Sequence, residues 1–350
     1  ELRYIKDAAK EIGEALAKKD GYHVVVVKST VIPGTTQDVV KPILEEHSEK
    51  RCGEDFGLCM NPEFLREGSA MYDTLHPDRI VIGEYDKRSG DALQRLFEEF
   101  YESEIPPIIR TNLPTAEMIK YANNSFLAAK ISFINQIANI CQLTPGTDVT
   151  TIAKAIGLDE RINPRFLGAG LGFGGSCFPK DVKALIAYSK KLGYKPSLLE
   201  AVMEINQDQP YKAVNLSKEF LGDLKDKRIA ILGLSFKPET DDMREAVSIR
   251  VIKKLLEEGA RIIAYDPVAI PNAKKIFKDS IEYAQSPIQC ISNADCCIIV
   301  TEWDEFKHLK PEDFIKNMRE PILIDGRRIY DPKRFSEKLK FAAIGLGRTH

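Results

Sequence analysis

The sequence predicts an α/β protein built from two doubly wound sheets joined by a long helical segment. Three observations carry this: short apolar, β-rich runs alternating with helical stretches near the start, about a hundred residues of helical spacing in the middle, and a second alternation after them. In chain order, Leu2, Ile5, Ala8, Ile12, Ala15 and Leu16 fall at helical spacing. Tyr22 to Lys28, Arg79 to Gly83 and Pro106 to Arg110 read as strands, with a helix from Lys87 to Tyr101 between the last two. From Thr111 to about Tyr211 the pattern is helical. It includes one long helix, Thr115 to Cys141, with apolar residues at Met118, Ile119, Ala122, Phe126, Ile131, Phe133, Ile134, Ile137 and Ile140, and it continues through Leu185 to Met203. Arg228 to Gly233, Arg261 to Tyr265, Cys296 to Val300 and Pro321 to Ile324 are again strand-like, separated by helices such as Arg244 to Glu258. The expected divisions are 1–110, 111–211 and 212–350. The strand ending at Gly233, the helix near Arg244 and the strand ending at Asp266 keep a Rossmann-like βαβ frame without its glycine fingerprint.

The chemistry concentrates between Gly168 and Asp181, where a glycine run delivers one cysteine into a helix start. Gly170, Gly172, Gly174 and Gly175 permit positive φ and close backbone approach, and Pro179 suits a first helical turn. Cys177 then sits at the positive end of a helix, which favours thiolate over thiol. Asp181 lies one turn on, on the same face. On this segment alone the alternative is a glycine-rich loop with a buried cysteine. Gly170, Gly172 and Gly175 also spell G-x-G-x-x-G, but Arg161 to Phe166 is charged and proline-broken where a hydrophobic strand is required.

Two further pairs stand four residues apart. Lys120 and Asn124, on the long helix, pair an ammonium with an amide donor and suit a developing oxyanion; the alternative is a solvated stripe. Glu63 and Glu67, expected to open a short helical turn after Pro62, suit divided acid/base work; the alternative is surface charge. A thiol, a carboxylate pair, a Lys/Asn pair and an aspartate together suit covalent oxidation.

Lys28-Ser29-Thr30, Asn61 to Gly68, Lys120 with Asn124, Gly172 to Asp181, Phe236-Lys237 with Arg244, and Asp325-Gly326-Arg327-Arg328 occur in the order and spacing of one family. Across nearly its whole length the chain resembles the UDP-glucose/GDP-mannose dehydrogenases. The two longest motifs look like the branch acting on UDP-glucose more than the GDP-mannose branch, and less still like the N-acetylmannosamine and N-acetylglucosamine branches. The resemblance implies NAD as cofactor, a nucleotide sugar as substrate and a four-electron oxidation at C6. It assigns Cys177 to a thiohemiacetal and then a thioester, Glu63 to activation of the hydrolytic water, Lys120 and Asn124 to the oxyanion, Asp181 to a proton relay and Thr30 to placing the water. Thr30, Glu67, Lys180 and Arg244 are the implied cofactor contacts. The implied substrate contacts are Glu63, Phe64, Leu65, Lys120, Asn124, Phe166, Leu167, Phe173, Gly174, Cys177 and Phe236, with Lys237 and Arg327 on the diphosphate. Arg161 is assigned to a neighbouring subunit's substrate, and Trp303 reads as core.

One departure stands beside these matches. The family opens on a strand, a Gly-rich turn, a helix and an acidic residue, and nothing of that kind precedes Glu1. The first domain is therefore expected to be truncated at its N-terminus and to bind NAD poorly; a catalytically silent nucleotide-sugar-binding fragment is the corresponding alternative.

Bulk properties agree with an enzyme of small molecules. The chain has 350 residues, 43% of them hydrophobic, and a net charge of −2, which gives no reason to expect nucleic acid. No apolar run approaches the ~20 residues of a membrane span. Seven cysteines without framework spacing fit the cytoplasm, and neither Cys52 with Cys59 nor Cys290 with Cys296 and Cys297 has zinc-site spacing. A cysteine hydrolase needs a catalytic histidine, and His23, His47, His76, His308 and His350 lie in no such motif. The long helix carries more apolar surface than one core covers, so a homodimer or higher homo-oligomer is expected.

Overall fold

The computed structural model describes residues 2–102 and 104–348. The chain folds as two compact units, Glu1–Asn124 and Ser125–His350, so the division falls inside the expected central segment, within the 30-residue helix Leu113–Gln142.

In the first unit, the opening helix spans Arg3–Ala17 and buries Ala9, Gly13 and Leu16. Four strands follow: β1 (His23–Val27), β2 (Phe56–Met60), β3 (Ile80–Glu84) and β4 (Ile108–Asn112), paired in that order. β1 and β2 run parallel with Val25 opposite Leu58, and β3 and β4 run parallel with Ile82 opposite Arg110. β2 and β3 are antiparallel through Cys59–Glu84 and Met60–Gly83, so this sheet is mixed, where a doubly wound parallel sheet is expected. β2 is invisible to period-2 reasoning because all five of its residues are buried and one is glycine. A Cβ on Gly57 would stand 2.5 Å from the Tyr22 hydroxyl and 2.7 Å from Ser89 Cβ, so packing requires the glycine that weakens the strand signal. Leu44, Phe56, Leu58, Met60, Val81 and Leu113 form this unit's main core.

The second unit holds β5 (Arg228–Leu232), β6 (Arg261–Tyr265), β7 (Glu282–Tyr283), β8 (Cys296–Ile299), β9 (Ile322–Asp325) and β10 (Lys340–Ala343). All neighbours are parallel and the order is β10-β9-β8-β5-β6-β7, the doubly wound arrangement with its reversal between β5 and β8. Both faces of the central strands are covered, which is why they read as unbroken apolar runs. β7 and β10 lie outside the expected strands, and β7 is only two residues long. The helical pattern through Leu185 to Met203 belongs to two helices, Cys177–Lys191 and Ser197–Asp208, parted where Gly193 turns at φ +79° and Pro196 has no amide hydrogen. The helix expected from Arg244 begins at Val247. Phe126, Phe133 and Ile140, each seven residues apart on the long helix, are 68%, 51% and 55% exposed.

Candidate active site

In the first unit, Lys120 and Asn124 are both buried, which removes the reading of this face as a solvated stripe. Lys120 Nζ donates to the backbone carbonyl of Glu63 at 2.6 Å and to Glu63 Oε1 at 3.2 Å, so the buried ammonium has the partners it needs. Asn124 Oδ1 accepts from Asn123 Nδ2 at 3.1 Å, and Asn123 Oδ1 accepts from Arg79 at 2.8 Å. Arg79 also lies over the Phe64 ring, 4.0 Å from its centroid. Glu63 is half-buried and Glu63 Oε2 accepts from the Leu65 amide at 2.6 Å.

The expected helical turn at Glu63 and Glu67 is absent. Residues 61–66 are irregular, Glu67 lies in a turn, and the next helix begins at Ala70, because a side-chain bond within the loop replaces the helical ladder. The two carboxylates are therefore not stacked on a helix face. The loop is fastened from the far side by Asp73, which accepts from the Arg66 amide at 2.7 Å, from its guanidinium at 2.5 Å and from Ser69 Oγ at 3.1 Å. These donors, the Arg66 side chain foremost, lower the Asp73 carboxyl to about 2. Leu65 and Glu67 are exposed, and Thr30 is half-buried in the segment after β1. Lys28 Nζ bonds Asn61 Oδ1 at 2.6 Å, linking the C-terminal ends of β1 and β2, where sheets of this kind receive ligands.

In the second unit, Cys177 is the first residue of its helix and the one exposed cysteine of the seven. Its Sγ lies 3.7 Å from Ser176 Oγ. Burial pushes the thiols of Cys52, Cys59 and Cys296 up to about 12, 11 and 12, and raises Cys290 and Cys297 as well. The exposure of Cys177 sets aside the alternative of a glycine-rich loop with a buried cysteine. Asp181 is 1% exposed, with Lys180 Nζ 3.4 Å from its Oδ1. The glycines before Cys177 are required by contact: a Cβ on Gly174 would lie 2.5 Å from the Glu245 carbonyl, and Gly175, at φ +77°, would meet the Phe236 ring at 2.8 Å.

The remaining candidates divide by exposure. Leu167 and Phe173 turn their side chains into apolar cores. Phe166 is 39% exposed at φ +66°, with its ring 6.1 Å from Phe178. Lys237 Nζ is 5.7 Å from the centroid of the Phe236 ring. Arg244 is exposed and forks onto buried Asp242 at 3.0 and 2.8 Å, while its carbonyl accepts from Gly175 at 2.9 Å. Arg327 is held by the Val300 carbonyl at 2.6 Å and the Gly172 carbonyl at 3.2 Å. Arg161 is exposed and paired with Asp159 at 2.7 Å. Trp303 is buried, its indole N–H donating to Asp266 Oδ2 at 3.1 Å, as a core residue does. His308 Nδ1 lies 2.9 Å from the Asp304 carbonyl, and His350 lies outside the described residues.

Several positioning groups escaped sequence reasoning. Buried Glu117, one turn before Lys120 and Tyr121, accepts from Gly34 N at 2.5 Å, Thr36 N at 2.8 Å and Thr36 Oγ1 at 2.6 Å, and burial raises its carboxyl. Its spacing of three from Lys120 was the available signal. Asp266, at the end of β6, accepts on Oδ2 from Leu234 N at 2.8 Å and Ser235 N at 3.0 Å, and on Oδ1 from Val268 N at 3.0 Å and Ala269 N at 2.8 Å. This is the strand end from which dinucleotide-binding sheets present a ribose-binding acid. Here the carboxylate closes the chain's own turns.

A doubly wound sheet with a cysteine-bearing glycine loop in its unit, and a second α/β unit bearing a Lys/Asn/Glu cluster, define an NAD-dependent oxidoreductase of nucleotide sugars once the comparisons are added. Models of the UDP-glucose/GDP-mannose dehydrogenase NAD-binding, central and UDP-binding domains match residues 1–101, 114–208 and 230–332. A UDP-glucose 6-dehydrogenase of Haloferax volcanii is 49% identical over 94% of this chain and 76% of its own, and one of Bacillus subtilis is 44% identical over 94% and 69%. The solved UDP-glucose dehydrogenase of Pyrobaculum islandicum superposes with a TM-score of 0.88 at 38% identity, over 99% of this chain and 76% of that one. The chain belongs to the UDP-glucose/GDP-mannose dehydrogenase family. The NAD-binding domain model matches residues 1–101, so the first unit belongs to that domain. Among the described residues no helix is long and apolar enough to cross a membrane.

Proposed function

We propose that this protein oxidises the C6 hydroxymethyl group of UDP-glucose to the carboxylate of UDP-glucuronate, consuming two NAD and one water. The observation that carries the reading is the placement of the single exposed thiol, Cys177, at a helix N-terminus behind a fixed glycine loop. When bound, NAD would supply the hydride acceptor for each of the two oxidations. Thr30, Glu67, Lys180 and Arg244 are the residues that would hold it; Thr30 belongs to the segment following β1, beside the Lys28–Asn61 link, which suits a cofactor at that sheet end.

After the first oxidation, Cys177 Sγ bonds to the aldehyde carbon and its proton passes to the carbonyl oxygen, giving a thiohemiacetal. Loss of a second hydride and the hydroxyl proton leaves a thioester. Glu63 takes a proton from water, the resulting hydroxide adds to the thioester carbon, and the carbon–sulfur bond breaks to return the thiolate. Lys120 and Asn124 stabilise the oxyanion, Thr30 places the water and Asp181 relays the proton. Lys237 and Arg327 bind the diphosphate, Phe236 the nucleotide side, and Phe64, Leu65, Phe166 and Gly174 line the sugar's path, while Leu167 and Phe173, their side chains in the core, offer it backbone only. Arg161, exposed in its own chain, reaches a neighbouring subunit's substrate. The exposed row Phe126, Phe133 and Ile140 is covered by the same row of a second copy about a two-fold axis. Seven free cysteines fit the reducing cytoplasm.

Turnover with UDP-glucose and with GDP-mannose tests the reading: two NADH should form per UDP-glucuronate, and a preference for GDP-mannose would reassign the substrate.

A further inference from the structure

We propose that Asn206 is a positioning residue that sets the glycine loop and, through it, the alignment of the Cys177 thiol. The proposal rests on the reading of Cys177 as the nucleophile. Asn206, 2% exposed on the helix Ser197–Asp208, accepts from the Phe173 amide at 2.7 Å and donates to the Phe173 carbonyl at 3.0 Å. One side chain thus closes a two-bond ring with one residue's backbone, as a neighbouring strand would. A carboxamide offers its acceptor and its donor on two separate atoms, spaced to meet one residue's N–H and C=O together; a carboxylate only accepts. The same device recurs at the loop's start, where Gly170 N donates to Asn135 Oδ1 at 2.8 Å and Gly170 O accepts from Gln209 Nε2 at 2.9 Å. Gln209 is in turn held by Asn139 at 3.0 Å, and the Asn206 carbonyl by Arg250 at 2.9 Å.

Four buried backbone groups are satisfied here by side chains, with neither sheet nor solvent involved. Three residues, Gly174, Gly175 and Ser176, separate the fixed Phe173 from Cys177, and Gly175 is itself bonded to the Arg244 carbonyl at 2.9 Å. Two of the three are glycines, which hold no shape unaided, so the geometry of the thiol depends on where Phe173 is pinned. Gly172 matches the clamp: at φ +96° its Cβ would lie 2.6 Å from Asn206 Oδ1.

Asn206→Asp keeps the volume and the acceptor but sets a carboxylate oxygen against the Phe173 carbonyl. Native-state alkylation of Cys177 by iodoacetamide, followed by peptide mass, reads the thiol directly, because the other six cysteines are buried. Alkylation and kcat should each fall roughly tenfold, with KM for UDP-glucose within about twofold and the folded state retained at assay temperature. Gln209→Glu makes the same exchange at Gly170 and should act in the same direction, so a poorly folding Asn206 variant leaves the test intact. Wild-type alkylation in folded variants, or a loss seen only in KM, would overturn the proposal. Alkylation needs neither substrate nor cofactor: a fully active Cys177→Ser would sink the catalytic reading while leaving this measurement standing.

Discussion

Lys120 touches Glu63 twice, through the backbone carbonyl at 2.6 Å and the carboxylate at 3.2 Å. The first contact fixes the loop to the long helix; the second sets the half-buried carboxylate against the buried side-chain nitrogen. If Glu63 is the proposed base and Lys120 the proposed oxyanion partner, this shared contact makes the two fail together at hydrolysis, and not at hydride transfer.

Glu63→Gln should therefore carry out both oxidations and stall at the thioester. Intact-mass measurement after mixing with NAD and UDP-glucose should show the sugar nucleotide's mass on Cys177, with steady-state turnover down about a hundredfold or more. Unimpaired turnover without an adduct would move the base elsewhere.

Cys177→Ser should yield at most one NADH per substrate, with turnover down about a thousandfold, since a serine hydroxyl is scarcely ionised at neutral pH. NADH yield in a single-turnover assay checks this; a yield of two would take the thiol out of the reaction.

Asp73 gives a pH signature. Its carboxyl lies at about 2, below the ordinary 3.8, so the stabilisation it supplies is present above pH 4 and is lost as pH falls toward 2. The gap in Tm between the wild type and Asp73→Asn should be open at pH 5 and close as acid is added. A gap that stays constant below pH 3 would show that the Arg66 contact does not hold the loop.

The exposed row on the long helix predicts association. Light scattering should give a dimer or larger, and Phe126→Glu with Phe133→Glu should reduce it to monomers, since each places a carboxylate in the apolar contact. Wild-type monomers would remove the row from any self-interface.

Asp266→Asn should lower stability by about 3 kcal/mol, because an amide nitrogen replaces one of two oxygens that each face backbone donors. Urea unfolding measures it; a change below about 0.5 kcal/mol would show that the turns hold without the acid.

What the sequence made legible was what local chemistry writes. β5, β6, β8 and β9 are apolar runs covered on both faces, and the Gly174–Cys177 junction is spelled by glycines that contacts at Glu245 and Phe236 require. β2 was hidden by Gly57, and the relation between Glu63 and Glu67 was misjudged because the Leu65 amide bonds the Glu63 carboxylate where a helix would have formed. Glu117, whose spacing from Lys120 is a weak signal, and Asn206 are hard to read for a different reason. A buried acid or amide in a helix looks like a surface residue until its tertiary partner is known, and those partners lie 81 and 33 positions away.

The inward turn of Asp266 bears on how such a protein changes over time. A doubly wound sheet that exposes its strand-end acid to a ligand ties recognition to framework: altering the acid alters both. Among the described residues the acid accepts from Leu234, Ser235, Val268, Ala269 and Trp303, so the framework is finished before any guest arrives. The proposed diphosphate contact Lys237 lies instead on a loop, where an exchange leaves the strands untouched. Redesign toward another nucleotide sugar should accordingly tolerate bold changes in that loop and almost none at position 266.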